Sequence, residues 1–175
     1  MCKLPQGGPQ CGASQLELVV SIVLFVVFMI VFAERAFYYQ EYGEKVAMEM
    51  TVANMRTGLR YKVADLIMNN RVSEIPTLAD ENPMDWLADK PENYLGEFDG
   101  MPRDEAAGKW FYNKRNRELV YTVNNRRHFV PFAGQDFTVR YRAQRVQAAQ
   151  GASAPASRPQ VWVNLVQPRE YTWLP

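Results

Sequence analysis

LVVSIVLFVVFMIVFA, running from Leu18 to Ala33, is the stretch that decides how the rest of this 175-residue chain is read. Its sixteen residues contain one polar side chain, Ser21, and counting back to Leu16 gives eighteen residues with one charge, Glu17. At about 1.5 Å per residue, such a helix is about 27 Å long, just enough to cross a thin bilayer. The whole chain is otherwise of ordinary composition, 47% hydrophobic and 22% charged, close to a folded globular protein. A mean hydropathy of −0.32 argues against a polytopic membrane protein. Twenty Lys and Arg against nineteen Asp and Glu leave a net charge of +1, which argues against coating nucleic acid by bulk electrostatics.

The flanks of the apolar run do not suit an ordinary secretory signal, which places basic residues first and a small-residue cleavage site last. Here Phe32-Ala33-Glu34-Arg35 follows the run, and the small residues Gly12-Ala13-Ser14 precede it. A lipoprotein signal does not fit either, because Cys11 has no apolar stretch ahead of it. Glu17 discriminates among the remaining readings. A carboxylate in an apolar run costs about 2.5–3.5 kcal/mol at mid-membrane, and less near the end, so it calls for a cationic partner. Lys3 lies fourteen residues away, whereas a cut after Gly12 would place the α-amino group of Ala13 four residues before Glu17.

The stretch Gly12-Ala13-Ser14-Gln15-Leu16-Glu17-Leu18-Val19-Val20 resembles the signal of the type IV pilin-like family, which covers type IV pilins and the pseudopilins of type II secretion. That signal has a short polar leader ending in Gly and a glutamate as fifth mature residue. The resemblance implies a membrane prepilin peptidase that cuts after Gly12 and methylates the new N-terminus at Ala13. It also implies that Glu17 meets a neighbouring subunit's N-terminal amine during assembly. Ala13 stands where the family commonly has Phe, and Glu34 where many major pilins carry a helix-kinking Pro, which implies a straighter helix. The implied protein is a minor pilin or pseudopilin, non-enzymatic, held in the bacterial inner membrane by a single pass with its C-terminal domain in the periplasm. Its implied partners are other pilin or pseudopilin subunits, the prepilin peptidase, an inner-membrane assembly platform and membrane lipid. The alternative is an uncleaved, single-pass membrane-anchored periplasmic binding module.

The resemblance divides the chain into a leader over 1–12, a transmembrane and assembly helix over 13–34 and an amphipathic continuation over 35–70. An acidic loop region over 71–108 and an antiparallel sheet over 109–175 follow, the latter with a flexible loop at 147–160. Cleavage leaves 175 − 12 = 163 residues, removes Cys2 and Cys11, and makes the charges balance at nineteen each. A cysteine-free periplasmic domain must rely on its core alone. The family's layout, and the fold class expected here, is α+β: a long N-terminal helix on a small antiparallel sheet of about four strands.

Residue patterns bear on the same layout. From Glu34 to Asn70 there is no proline, and Met48, Val52, Met55, Leu59, Val63 and Leu66 recur at three- and four-residue steps, the spacing of a buried helix face. Glu49, Arg56, Lys62 and Asp65 belong to the water-facing side. Gly43 and Gly58 each weaken a helix by about 1 kcal/mol relative to Ala, and Asn69-Asn70 and Pro76 mark its end. Residues 71–108, with Pro76, Pro83, Pro91 and Pro102, predict an ordered loop with a short helix near Met84–Asp89. A period of two over Lys109–Val123, broken at Asn113–Arg117, predicts a hairpin, with further strands at Phe137–Tyr141 and Val161–Val166. Ala148–Pro159 reads as a low-complexity tether.

Charge is unevenly placed. Between Glu74 and Glu105 there are ten acidic residues against Lys90 and Arg103, and between Lys109 and Arg145 nine basic residues against Glu118 and Asp136. Mutual pairing of these regions, within a subunit or between neighbouring subunits, is the expectation; nucleic acid is not expected as a partner. The acidic loop lacks the D-x-[DN]-x-[DN]-G pattern of a calcium loop. One histidine, His128, and two cysteines do not make a four-ligand zinc site. With no phosphate-cradling glycine loop and no nucleophile elbow, neither cofactor nor enzymatic activity is expected. The sequence does not separate a pilus subunit from a secretion-system one, nor a shaft position from a tip.

Overall fold

The computed structural model describes residues 15–102, 107–131, 136–147 and 161–174. The leader with Gly12 and Ala13, and the tether at Ala148–Pro159, lie outside the described residues. The chain divides into two compact units, Met1–Tyr39 and Gln40–Pro175. One α-helix, α1 (Gln15–Met68), contributes to both.

In the first unit, every residue of α1 from Gln15 to Arg35 is exposed. The rings of Phe28 and Phe32, one turn apart, stack with centroids 6.3 Å apart. Valines and isoleucines are middling helix formers in water. In an apolar medium the helix is favoured because it satisfies its backbone groups internally. The segment is long and apolar enough to cross a bilayer.

In the second unit, α1 buries Met48, Val52, Met55, Leu59, Val63 and Leu66, the stripe expected from its spacing. Glu49, Arg56 and Asp65 face water, while Lys62 is half-buried and donates to Glu81 at 3.0 Å. The helix ends in a Schellman arrangement. Asn70 adopts φ +55°, its N–H donates to the Ile67 carbonyl, and the Arg71 N–H donates to that of Leu66 at 2.7 Å. Asparagine tolerates this left-handed conformation better than most residues, so the helix stops where the Asn pair predicts.

The fold is α+β, with a sheet larger than expected. It is mixed and five-stranded: β1 (Tyr94–Phe98), β2 (Lys109–Asn113), β3 (Glu118–Thr122), β5 (Thr138–Gln147) and β6 (Val161–Val166), in the order β1-β2-β3-β5-β6. Two short strands, β4 (Phe129–Val130) and β7 (Thr172–Trp173), pair separately. The expectation of an antiparallel sheet of about four strands is therefore corrected, because β1 joins β2 in parallel. Its register shifts between Tyr94 and Glu97, where Gly96 takes φ +106°. A glycine bulge in a five-residue strand erases most of the period-two signal. The loop region also contains 3₁₀ segments at Val72–Asp80 and Pro83–Trp86. The second is the single turn that stands where a helix near Met84–Asp89 was expected; Asn82 caps it by accepting from the Met84 N–H at 3.0 Å.

Register places Trp110, Tyr112, Leu119, Tyr121, Val139 and Tyr141 on one sheet face. The Trp110 ring lies 4.9 Å from that of Tyr121 and 6.1 Å from that of Tyr141. Phe111 and Val120 on the opposite face are buried as well, with Phe98 edge-on to Phe111. Both faces of the predicted hairpin are thus core. Its turn is held by Asn113, whose Oδ1 accepts from the Arg115 N–H at 3.0 Å.

Candidate functional site

Of the three residues that the resemblance singles out, Gly12 and Ala13 lie outside the described residues, and Glu17 stands in the first turn of α1. Its side chain is exposed, and among the described residues it makes no ion pair. Ser21, the one polar residue in the apolar run, donates its hydroxyl to the Glu17 carbonyl at 2.8 Å. That bond hides the hydroxyl inside the helix, so the Glu17 carboxylate is the strongest polar group that this segment presents.

Two further carboxylates on α1, Glu41 and Glu44, organise the second unit. Continuing the buried stripe backwards from Met48 in steps of four and three lands on both, so each points toward the sheet rather than water. Glu41 is buried, 1% exposed. Its Oε1 accepts from the His128 N–H at 2.9 Å and the Trp173 indole N–H at 3.1 Å. Its Oε2 lies 2.7 Å from His128 Nδ1. Burial pushes the Glu41 pKa up, but the His128 side-chain and backbone hydrogen bonds, the Trp173 bond and the His128 charge outweigh it. They hold the carboxyl below its ordinary value.

Glu44 accepts from the Tyr121 hydroxyl at 2.9 Å, the Asn124 N–H at 2.7 Å, and the Asn125 N–H and Nδ2 at 2.9 and 2.8 Å. Burial, first, and then the Glu44 charge and hydrogen bond raise the Tyr121 phenol, which stays a donor. Together the two glutamates tie the helix to residues 121–128 and to β7. Backbone N–H groups that no strand partner would satisfy here receive charged acceptors, the stronger kind. These are structural anchors. Their one signal in the sequence is the apolar stripe itself, which when extended to 41 and 44 places carboxylates at core positions.

Among the described residues, one acid of the loop, Asp80, pairs with the basic strand region within the chain. Asp80 receives both Arg117 and Arg145, and Glu81 accepts from Lys62 and from the Trp86 indole at 3.2 Å. Lys90 meets Asp85 at 2.7 Å. On the sheet, Arg140 and Arg142 converge on the buried Glu118 at 3.2 and 3.0 Å. Asp80, Glu81 and Asp85 of the acidic loop are thus met by cations of the same chain. Among the described residues, no three His, Cys, Asp or Glu side chains gather as metal ligands would.

Comparison with protein-family models, with curated proteins and with solved structures finds no match. The functional reading therefore rests on the chain's own residues.

Proposed function

We propose that this chain is a structural subunit, a minor pilin or pseudopilin, of a filament of the type IV pilus or type II secretion class. In this reading it is made as a precursor and cut after Gly12 by a prepilin peptidase, which also methylates Ala13. One observation carries the reading: within one helix, an apolar segment that is exposed along its whole length begins one residue after a lone carboxylate, Glu17. Leaving the fifteen apolar side chains between Leu18 and Ala33 in water would forfeit on the order of 30 kcal/mol. The segment therefore belongs in lipid or against other helices, and this reading uses both. Before assembly it anchors the subunit in the inner membrane, with the second unit in the periplasm. During assembly, lipid contacts are exchanged for helix contacts, and Glu17 pairs with the Ala13 amine of a neighbour. Pairing offsets the heavy penalty on an isolated buried charge.

The experiment is co-expression with a prepilin peptidase and the assembly machinery, followed by intact-mass analysis. The expected product is a 163-residue chain (175 − 12) beginning at N-methyl-Ala13. Glu17→Val is expected to be cut normally but to stay out of filaments. Normal incorporation of Glu17→Val would remove the role assigned to that residue. Retention of Met1 in an otherwise functional protein would favour the uncleaved membrane-anchored binding module instead.

A further inference from the structure

The two edges of the five-stranded sheet are built differently. At one edge, β1 carries Glu97 and a glycine bulge, devices that discourage another strand from pairing. At the other, β6 reads VWVNLV, with no charge, proline or glycine. Among the described residues, no strand lies on its far side. Beside it, α1 and β6 enclose an open groove of about 340 Å³. Val63 and Ile67 from the helix and Trp162 and Val163 from the strand supply its apolar surface, with Arg56 and Arg60 beside them. Ile67 and Trp162 stay more than a third exposed, at 39% and 37%. The volume is at the small end of the range for ligand clefts, suited to a few side chains rather than to a folded domain.

Charge indicates what the groove receives. Four arginines of the strand region, Arg117, Arg140, Arg142 and Arg145, are spent on Asp80 or Glu118. Arg56 and Arg60 are exposed, lie one turn apart, and make no ion pair among the described residues. A second copy of β6 would bring apolar residues and one asparagine but no acid to meet them. We infer that the β6 edge and the adjoining groove receive an extended acidic segment of a partner protein, added as a sixth strand. Its backbone pairs with Val161–Val166, alternate apolar side chains enter between Ile67 and Trp162, and a carboxylate meets Arg56 and Arg60. Backbone pairing supplies affinity in this mode, and the alternate side-chain positions supply selectivity.

The test uses the full-length chain in lipid nanodiscs, panned against a displayed library of short random peptides. Expected are enriched sequences that alternate apolar residues with Asp or Glu. Synthetic copies of them should protect the backbone amides of Val161–Val166 from hydrogen exchange. The double variant Arg56→Glu, Arg60→Glu alters two exposed side chains, and circular dichroism checks that it folds as the parent does. It should bind the selected acidic peptides at least about ten-fold more weakly, a loss of about 1.4 kcal/mol. Panning on the variant should select Lys- or Arg-bearing peptides instead. The inference is overturned if nothing is enriched over empty nanodiscs, or if parent and variant bind the same peptides equally. It is also overturned if binding protects amides elsewhere and leaves β6 unchanged, or if a second copy of the chain proves to cover Trp162.

Discussion

Replacing Glu41 by alanine tests whether one buried carboxylate ties α1 to two separate stretches of chain. The substitution removes the acceptor of the Trp173 indole N–H, of the His128 N–H and of His128 Nδ1. Trp173 is 2% exposed, so its stranded donor costs about 1–3 kcal/mol. The half-buried His128 N–H has partial access to water and adds about 1 kcal/mol. The His128 ring is 45% exposed, and its ion pair is screened to under about 1 kcal/mol. The sum is about 3 kcal/mol. For a chain of this size each kcal/mol moves the melting temperature by about 2–4 °C, so the expected fall is about 6–12 °C. Glu41→Gln keeps the shape and one acceptor oxygen, loses the charge and turns an amide N–H₂ toward donors; it should fall roughly half as far. The assay is thermal unfolding of the full chain in detergent micelles, followed by circular dichroism, with exchange of the Trp173 indole proton read by NMR. If Glu41→Ala melts within about 2 °C of the parent and the indole proton stays protected, the anchoring argument is wrong.

Other outcomes follow from the same geometry. A Cβ on Gly58 would sit 2.1 Å from the Trp86 carbonyl oxygen, so Gly58→Ala should destabilise by about 1–3 kcal/mol. Gly43 has nothing within 4 Å of that position, so Gly43→Ala should stabilise by about 0.5–1 kcal/mol; denaturant unfolding of the two variants should give opposite signs. Because Glu41 is held below its ordinary pKa, its contribution is present above the unfolded value, about 4.3, and is lost as pH falls through the folded value. Unfolding followed from pH 7 downward should therefore show an acid loss of stability that is smaller in Glu41→Gln. Asp80 holds two exposed arginines, and Asp80→Asn should cost less than about 1 kcal/mol despite the two ion pairs; a larger loss in the same assay would mean that the pair clamps the loop to the sheet.

Much of this was legible in the chain because it depends on local spacing. The stripe from Met48 to Leu66, the stop at Asn70 and the hairpin at Lys109–Val123 each follow from a period or a backbone preference that neighbouring residues set. The first 3₁₀ segment and β1 were not legible. Pro76 and Gly96 punctuate them, and their backbone is held by distant groups, as when the Trp110 N–H donates to the Asn93 carbonyl at 2.9 Å.

The two glycines of α1 show where the boundary lies. By helix propensity, Gly43 and Gly58 carry equal costs. Only the tertiary structure distinguishes them, because the carbonyl of Trp86 comes to rest against one and nothing approaches the other. Likewise, the sequence alone determined that Leu16–Ala33 is apolar enough to cross a bilayer and that Glu17 is its exceptional charge, since both are properties of composition along one helix. That Glu41 and Glu44 are anchors, that Asp80 meets Arg117 and Arg145, and that Arg56 and Arg60 stand beside a strand whose far side pairs with no other strand among the described residues were decided by packing. Each depends on residues tens of positions apart, brought together by burial of the sheet, and no local preference encodes which donor arrives.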